Sequence, residues 1–587
     1  MSLRRLWVLA PLVGMSLAAP SLMLGLHAID DPMHRRLVLG RLQGQGGADP
    51  WYDLFSLVGN DPESAEAERV GLRRPWYAYD GLSVRFLRPI AAVTHYVDHI
   101  LWPDATWLMH LHSVLWYGIA CACIALLGQR VNADPRVAWV GAFIYALDEA
   151  HAEPAAWIAN RNGLIATVFA SVALLLHHEG CRSSAIRPRV LALLFLGTAL
   201  LSAEAAVGVL AFFFAHALWV DQRGLRARMA SLLPVVCVTV GWFLLHRALG
   251  YGARGSGFYL DPLADGRALL AAAPERALYL LRSQVAGMWT LADELPDVVL
   301  APVRFAGEWV LLPALLVWSL LRVQRDRVLA FWLSGAIISM LPLLSVPPHE
   351  RLLVISGIGW SMAFGSMAVA AWDRWSSLRG PGRLLPALAL VLLAVVHGMF
   401  APLAFVLEAR SFGDGELDPA LAAPVLDLRK GLEQAHVVVL NAPNQLHGAM
   451  IPLERARRGL PVARYHSVLG STPHRVEVTR IDERTLDLSS PFGYLEDVFA
   501  AFWRSPSRPL PRRQPIRVHD YSAEVLWSIV DGRPQRIRFR FDRPLGDSGY
   551  RFIIWRGSAY EVFGFAPIGI HKSIPAVYDA RPISTFP

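Results

Sequence analysis

Four groups of ionisable residues stand beside long apolar runs, where a charge is costly unless it is used. Asp30 and Asp31, with His34 close behind, follow the first apolar run. Asp148, Glu149, His151 and Glu153 crowd the end of an unusually short apolar run, with Trp157 and Arg161 just after them. Glu204 is isolated between two apolar stretches, and His349, Glu350 and Arg351 fill a short turn before another. A positioned carboxylate can take a proton from a hydroxyl, and arginines can hold a departing oxyanion. On an extended segment adjacent side chains point to opposite sides, so Asp30 and Asp31 are expected to serve different roles.

The elements that must position these groups are apolar helices. The chain has 587 residues, of which 54% are hydrophobic and 18% charged. Those proportions exclude an ordinary soluble enzyme and indicate a polytopic membrane protein. Apolar runs are expected to span a bilayer at 6–27, 106–128, 137–149, 162–178, 190–203, 206–220, 231–248, 307–322, 328–346, 352–372 and 384–407, eleven in all. The first run follows Arg4 and Arg5 and reads as an uncleaved anchor. The net charge of +8 is carried almost wholly by arginine. These arginines fall in alternate turns: Arg130 and Arg136, then Arg182 to Arg189, Arg223 to Arg228, Arg322 to Arg327 and Arg374 to Arg383. That pattern is the positive-inside bias of a membrane protein, so the basic balance gives no reason to expect nucleic acid as a partner. It sets the N-terminus in the cytoplasm and the C-terminus outside, and it puts all four ionisable groups on the outer side. Arg161 and Arg351 are exceptions to the bias and therefore candidates for a functional role, as is Arg88 in the large first outer loop, 28–104.

The chain divides into a membrane part, 1–408, and an extracytoplasmic α+β part, 409–587, rich in antiparallel strand. Arg536 to Phe541 alternates strictly after an Asp531-Gly532 turn and a strand at 522–530, which predicts a hairpin. A second hairpin is expected from Arg475–Arg480 and Thr485–Ser489, a strand at Ile553 and Ile554, and helices near 420–435 and 494–503. A further helix from Pro274 to Trp289 is expected to lie along the membrane surface. The second part carries no nucleophile elbow, phosphate loop or metal spacing. Cys121, Cys123, Cys181 and Cys237 lie in or beside apolar runs and read as small hydrophobes. His110 and His112 read as hydrogen-bonding groups inside the second run.

The segment HAEPAAWIANRNGLIATVF, 151–169, resembles the third-to-fourth helix motif of GT-C class membrane glycosyltransferases, the class that includes protein O-mannosyltransferases and their tetratricopeptide-repeat relatives. Further similar motifs follow the same order: Phe86-Leu87-Arg88-Pro89, His110 and His112, LLSAEAAV at 200–207 and HERLLVISGIG at 349–359. The resemblance implies a GT-C-like bundle in a bacterial inner membrane with a periplasmic C-terminal domain. It implies a polyprenyl-phosphate sugar donor, membrane lipid around its tail, and an extracytoplasmic acceptor that is a lipid, glycan or protein. It also implies that the acid just after the first helix, Asp30 or Asp31, is the catalytic base or binds a divalent metal. Arg88, Arg161 and Arg351 would then face the phosphate, and His151 and Glu153 the acceptor. A flippase for a lipid-linked sugar and a non-catalytic scaffold acting through 409–587 are the rival readings.

Overall fold

The computed structural model describes residues 6–26, 30–42, 50–58, 74–183, 185–287, scattered positions between 298 and 318, 325–411, 419–428 and 430–576. Five described helical segments are long and apolar enough to cross a bilayer: Thr106–Val131, Ile158–Ser183, Leu225–Ala248, Arg327–Ser345 and Gly380–Ser411. Three shorter apolar ones are Trp7–Met23, Pro135–Leu147 and Glu204–Val220. The chain is thus a multi-pass membrane protein. Ile186–Leu200 and Ser356–Ser377 are further helices where spans are expected. The span expected at 307–322 falls largely outside the described residues.

Bundle helices approach closely through small residues, the means by which helices associate where no water drives them together. Gly359 packs so tightly that a Cβ there would lie 2.3 Å from the Trp332 carbonyl oxygen. Gly141 and Gly365 bring Pro135–Leu147 against Ser356–Ser377 in the same way. Asp134 and Asp326 cap their helices, each accepting backbone N–H groups of the first turn.

Helix Asp30–Leu42 follows the first membrane helix and leads into the outer loop. The two aspartates therefore sit in the first turn of a helix, not on an extended segment, because acids are favoured at a helix N-terminus. Their side chains still diverge, adjacent helical positions being about 100° apart. Helix Gly266–Ala286 starts earlier than expected and runs through Pro274.

The C-terminal part holds a six-stranded sheet and a four-stranded sheet. Val476–Arg480 pairs antiparallel with Thr485–Ser489, and Tyr521–Ser528 with Pro534–Phe541, as the two expected hairpins require. Phe539, Ile537 and Phe541 turn inward, whereas Arg536 and Arg538 on the other face both bind Asp487 at 2.8 Å. The four-stranded sheet is mixed: His436–Val439 lies parallel to both Tyr465–Val468 and Tyr550–Arg556. The helix expected at 420–435 is instead three short 3-10 turns, broken at Ala423-Pro424 and by Gly431 with φ of +80°. A line from Ser467 Oγ to His436 Nε2 (2.8 Å) and from His436 Nδ1 to Asp520 (2.9 Å) ties the two sheets together. This part is not separate from the outer loop. Trp76, Tyr77, Leu82 and Val84 share a core with Phe539 and Leu486, the Trp76 indole donates to Leu469 O at 2.8 Å, and Arg504 donates to Tyr77 O at 2.6 Å.

Candidate active site

Asp30 is surrounded by protein yet keeps part of its surface accessible. Burial pushes its carboxyl above the usual carboxylate range, and the charges of Arg351 and Arg88 pull it back down. Those two arginines are held by different acids.

Arg88 follows strand Ser83–Arg85 and immediately precedes helix Pro89–Leu101. Its Nε donates to Glu204 Oε2 at 2.7 Å, the Leu87 amide donates to Glu204 Oε1 at 2.8 Å, and the guanidinium lies over Phe86. Glu204 thus closes no turn of its own; it pins the outer loop to the bundle across more than a hundred residues. The remaining Arg88 nitrogens have no hydrogen-bond partner among the described residues, and its side chain is 19% exposed.

Arg351 begins a 3-10 turn, Glu350–Val354, and donates to Glu153 Oε2 at 3.3 Å while its guanidinium lies 5.0 Å from the Trp157 ring centre. It is 22% exposed. His349 reaches Glu153 Oε1 at 3.4 Å and Glu350 at 3.5 Å, and Tyr279 donates to Glu350 Oε1 at 3.1 Å. Burial lifts Glu350 to about 7. Burial likewise raises Glu153, against the pull of Arg351. Asp148 is buried one layer further in, accepting from the Ala150 amide and from Gln284 Nε2, both at 3.1 Å. Glu149 and His151 are buried beside it, and His151 Nδ1 lies 3.0 Å from Tyr145 O.

The other two sequence candidates are structural. Asp31 is 2% exposed and accepts the Ala159 amide at 2.8 Å, fixing the turn Ile158–Asn160 against helix Asp30–Leu42. Arg161 is fully buried, 2.6 Å from Asp98, and donates to Met109 O at 3.1 Å. None of its side-chain surface is accessible, unlike that of Arg88 and Arg351. His112 Nδ1 also meets Asp98 at 2.7 Å. The Trp116 indole donates to His112 Nε2 at 3.1 Å, and Arg161 Nη1 lies 2.8 Å from His112 Nδ1, so the ring is held from both sides.

Sequence reading passed over Asp98 and Tyr259. Asp98 had a signal: with Ala91 and His95 it lies on the buried face of Pro89–Leu101, where an acid needs a partner. Tyr259 had none, since only the fold brings its ring against Phe86 and within electrostatic reach of Arg351, Arg88, Asp30 and Glu204.

The site around Asp30 does not suit a divalent cation. Two guanidinium groups act on Asp30, and the acids that hold them, Glu204 and Glu153, are thereby already engaged. It can accept a proton at Asp30 and bind an anion between Arg88 and Arg351.

No protein-family model and no curated protein matches the sequence. Among solved structures, the chain is similar to the Archaeoglobus fulgidus oligosaccharyltransferase in the apo form (12% identity, TM-score 0.44), with 80% of this chain and 64% of that one covered. The same archaeal enzyme, AglB, in complex with an inhibitory peptide and a dolichol-phosphate gives 13% identity, a TM-score of 0.43 and the same coverage. ArnT from Cupriavidus metallidurans in the apo state gives 16% identity and a TM-score of 0.38, covering 78% of this chain and 84% of that one. The chain thus spans just under two thirds of the archaeal enzyme's length.

Proposed function

We propose that the chain is a GT-C-like glycosyltransferase that moves a sugar from a polyprenyl-phosphate donor to an acceptor hydroxyl outside the cytoplasm, with residues 1–408 as its catalytic body and 409–587 as an extracytoplasmic accessory domain. The observation that carries the reading is Asp30, an acid still accessible, flanked by two arginines with uncommitted N–H groups. The ordered GT-C-like motifs of the sequence support it.

Asp30 takes the proton from the acceptor hydroxyl as that oxygen attacks the anomeric carbon. The bond from that carbon to the phosphate oxygen breaks, and the polyprenyl phosphate leaves with the bonding electrons. Arg88 and Arg351 neutralise the charge that grows on the leaving oxygen, a contribution largest when the donors are fixed beforehand, as Glu204, Glu153 and Trp157 fix them here. Burial raises the basicity of Asp30, which suits proton abstraction, while the arginines keep it ionisable. Asp31 holds the helix that carries Asp30. Tyr259 positions the acceptor.

Asp30→Asn tests the reading. Membranes carrying this variant should accumulate the protein yet fail to make the glycosylated product seen by mass analysis of envelope lipids, glycans and proteins. An unchanged product profile would reject it.

A further inference from the structure

We propose that His177, Cys181 and His216 form a binding site for a zinc-class divalent cation at the end of the bundle opposite Asp30. Helix Asn162–Ser183 starts beside the Asp31 anchor and carries His177 roughly 20 Å away along its axis. His177 and Cys181 are one turn apart on one helical face, and His216 comes from the facing helix at the point where it widens into a π-turn, His216–Val220. One donor atom from each of the three lies within 4.8 Å of the others, and all three side chains are buried. No other such group of histidine, cysteine and acid donors occurs among the described residues.

Three features mark this as more than a buried polar cluster. First, Zn–N and Zn–S bonds of about 2.1 and 2.3 Å at a tetrahedral angle set the two donors about 3.6 Å apart. His177 Nε2 and Cys181 Sγ stand at 3.6 Å. Second, His216 is 1% exposed and its Nδ1 has no hydrogen-bond partner among the described residues, while its Nε2 is 3.0 Å from His178 Nδ1. If His216 Nε2 carries the proton and donates to His178, its Nδ1 presents a bare lone pair, the arrangement in which one ring nitrogen is held so that the other binds a metal. Third, Arg223 donates to Cys181 Sγ at 3.0 Å and is itself held by Asp221 at 2.6 Å. That contact holds the sulfur in place beside the two imidazoles. Two imidazoles and a thiolate suit zinc better than calcium or magnesium, and they leave a fourth position for water.

Cobalt(II) is the probe, titrated into full-length detergent-solubilised protein freed of metal by a chelator. The wild type should take up an equimolar amount, with a thiolate-to-cobalt charge-transfer absorption and ligand-field bands of tetrahedral intensity, all abolished by added zinc. Cys181→Ser should lose the charge-transfer band, His178→Gln should weaken binding about 10- to 100-fold, and Cys237→Ser, at an exposed cysteine outside the cluster, should change nothing. Zinc should also shield Cys181 from alkylation in the wild type, a readout that needs no variant to fold. Failure of folded wild type to bind cobalt, a band retained in Cys181→Ser, or unshielded Cys181 would each overturn the proposal.

Discussion

Two acid-arginine groups lie at one end of the bundle, and they differ in accessibility. In the inner one, Asp98 is met by Arg161 and by His112, and both members of the ion pair are fully buried. In the outer one, Asp30 is flanked by Arg88 and Arg351, which retain exposed surface and uncommitted N–H groups. A closed group with no accessible surface can only support its neighbours. An open one, with an acid lifted by burial and arginines fixed by other acids, has capacity left for a substrate. Residue type does not separate the two; accessibility does.

Breaking the outer group should cost activity, and breaking the inner one should cost stability. The largest effect is expected from Asp30→Asn, which should lower the transfer rate by about 10² to 10⁴ without changing the thermal unfolding midpoint, as a rate assay paired with a melting curve would show. Arg161→Ala should leave Asp98 buried and unpaired, destabilising the protein by about 3–5 kcal/mol; the check is unfolding in detergent, and a stable, fully folded variant would contradict the assignment.

Arg351→Ala sharpens the contrast. It should weaken donor binding about 10- to 100-fold, the worth of a hydrogen bond to a charged group, measured as donor KM. It should also shift the pH profile. A base works only when deprotonated, so activity falls as pH drops through the Asp30 pKa, which burial already sets above the ordinary carboxylate value. Removing the Arg351 charge takes away a term that lowers that pKa, and the acid limb should move to higher pH. Asp31→Asn should have the smallest effect, about 1–3 kcal/mol for a damaged buried hydrogen bond, seen in the melting curve, with the acid limb unmoved.

Much of this was legible in the sequence. The apolar runs located the described membrane helices to within several residues, though not helices Asp30–Leu42 and Pro89–Leu101 in the first loop, and the Asp531-Gly532 turn located the hairpin Tyr521–Ser528 and Pro534–Phe541. Local signals were enough because periodicity and turn chemistry are local. The acids were also visible, since a carboxylate beside an apolar run stands out. Their partners were not. Glu204 finds Arg88 across 116 residues, and nothing near either residue announces the pair. Arg161 was singled out because it breaks the charge bias, but only packing reveals that Asp98 takes it up. Cys181 was read as a small hydrophobe, although His177 stands at metal-ligand spacing before it; the third donor, His216, arrives only through the fold.

The central claim is that Asp30, and not Asp31, is the acid that works. The direct measurement is transfer from a polyprenyl-phosphate sugar by purified wild type, Asp30→Asn and Asp31→Asn, compared at matched folded concentration. Loss of transfer in Asp30→Asn with substantial activity kept by Asp31→Asn is the expected result. Full activity in Asp30→Asn, or loss confined to Asp31→Asn, would contradict it.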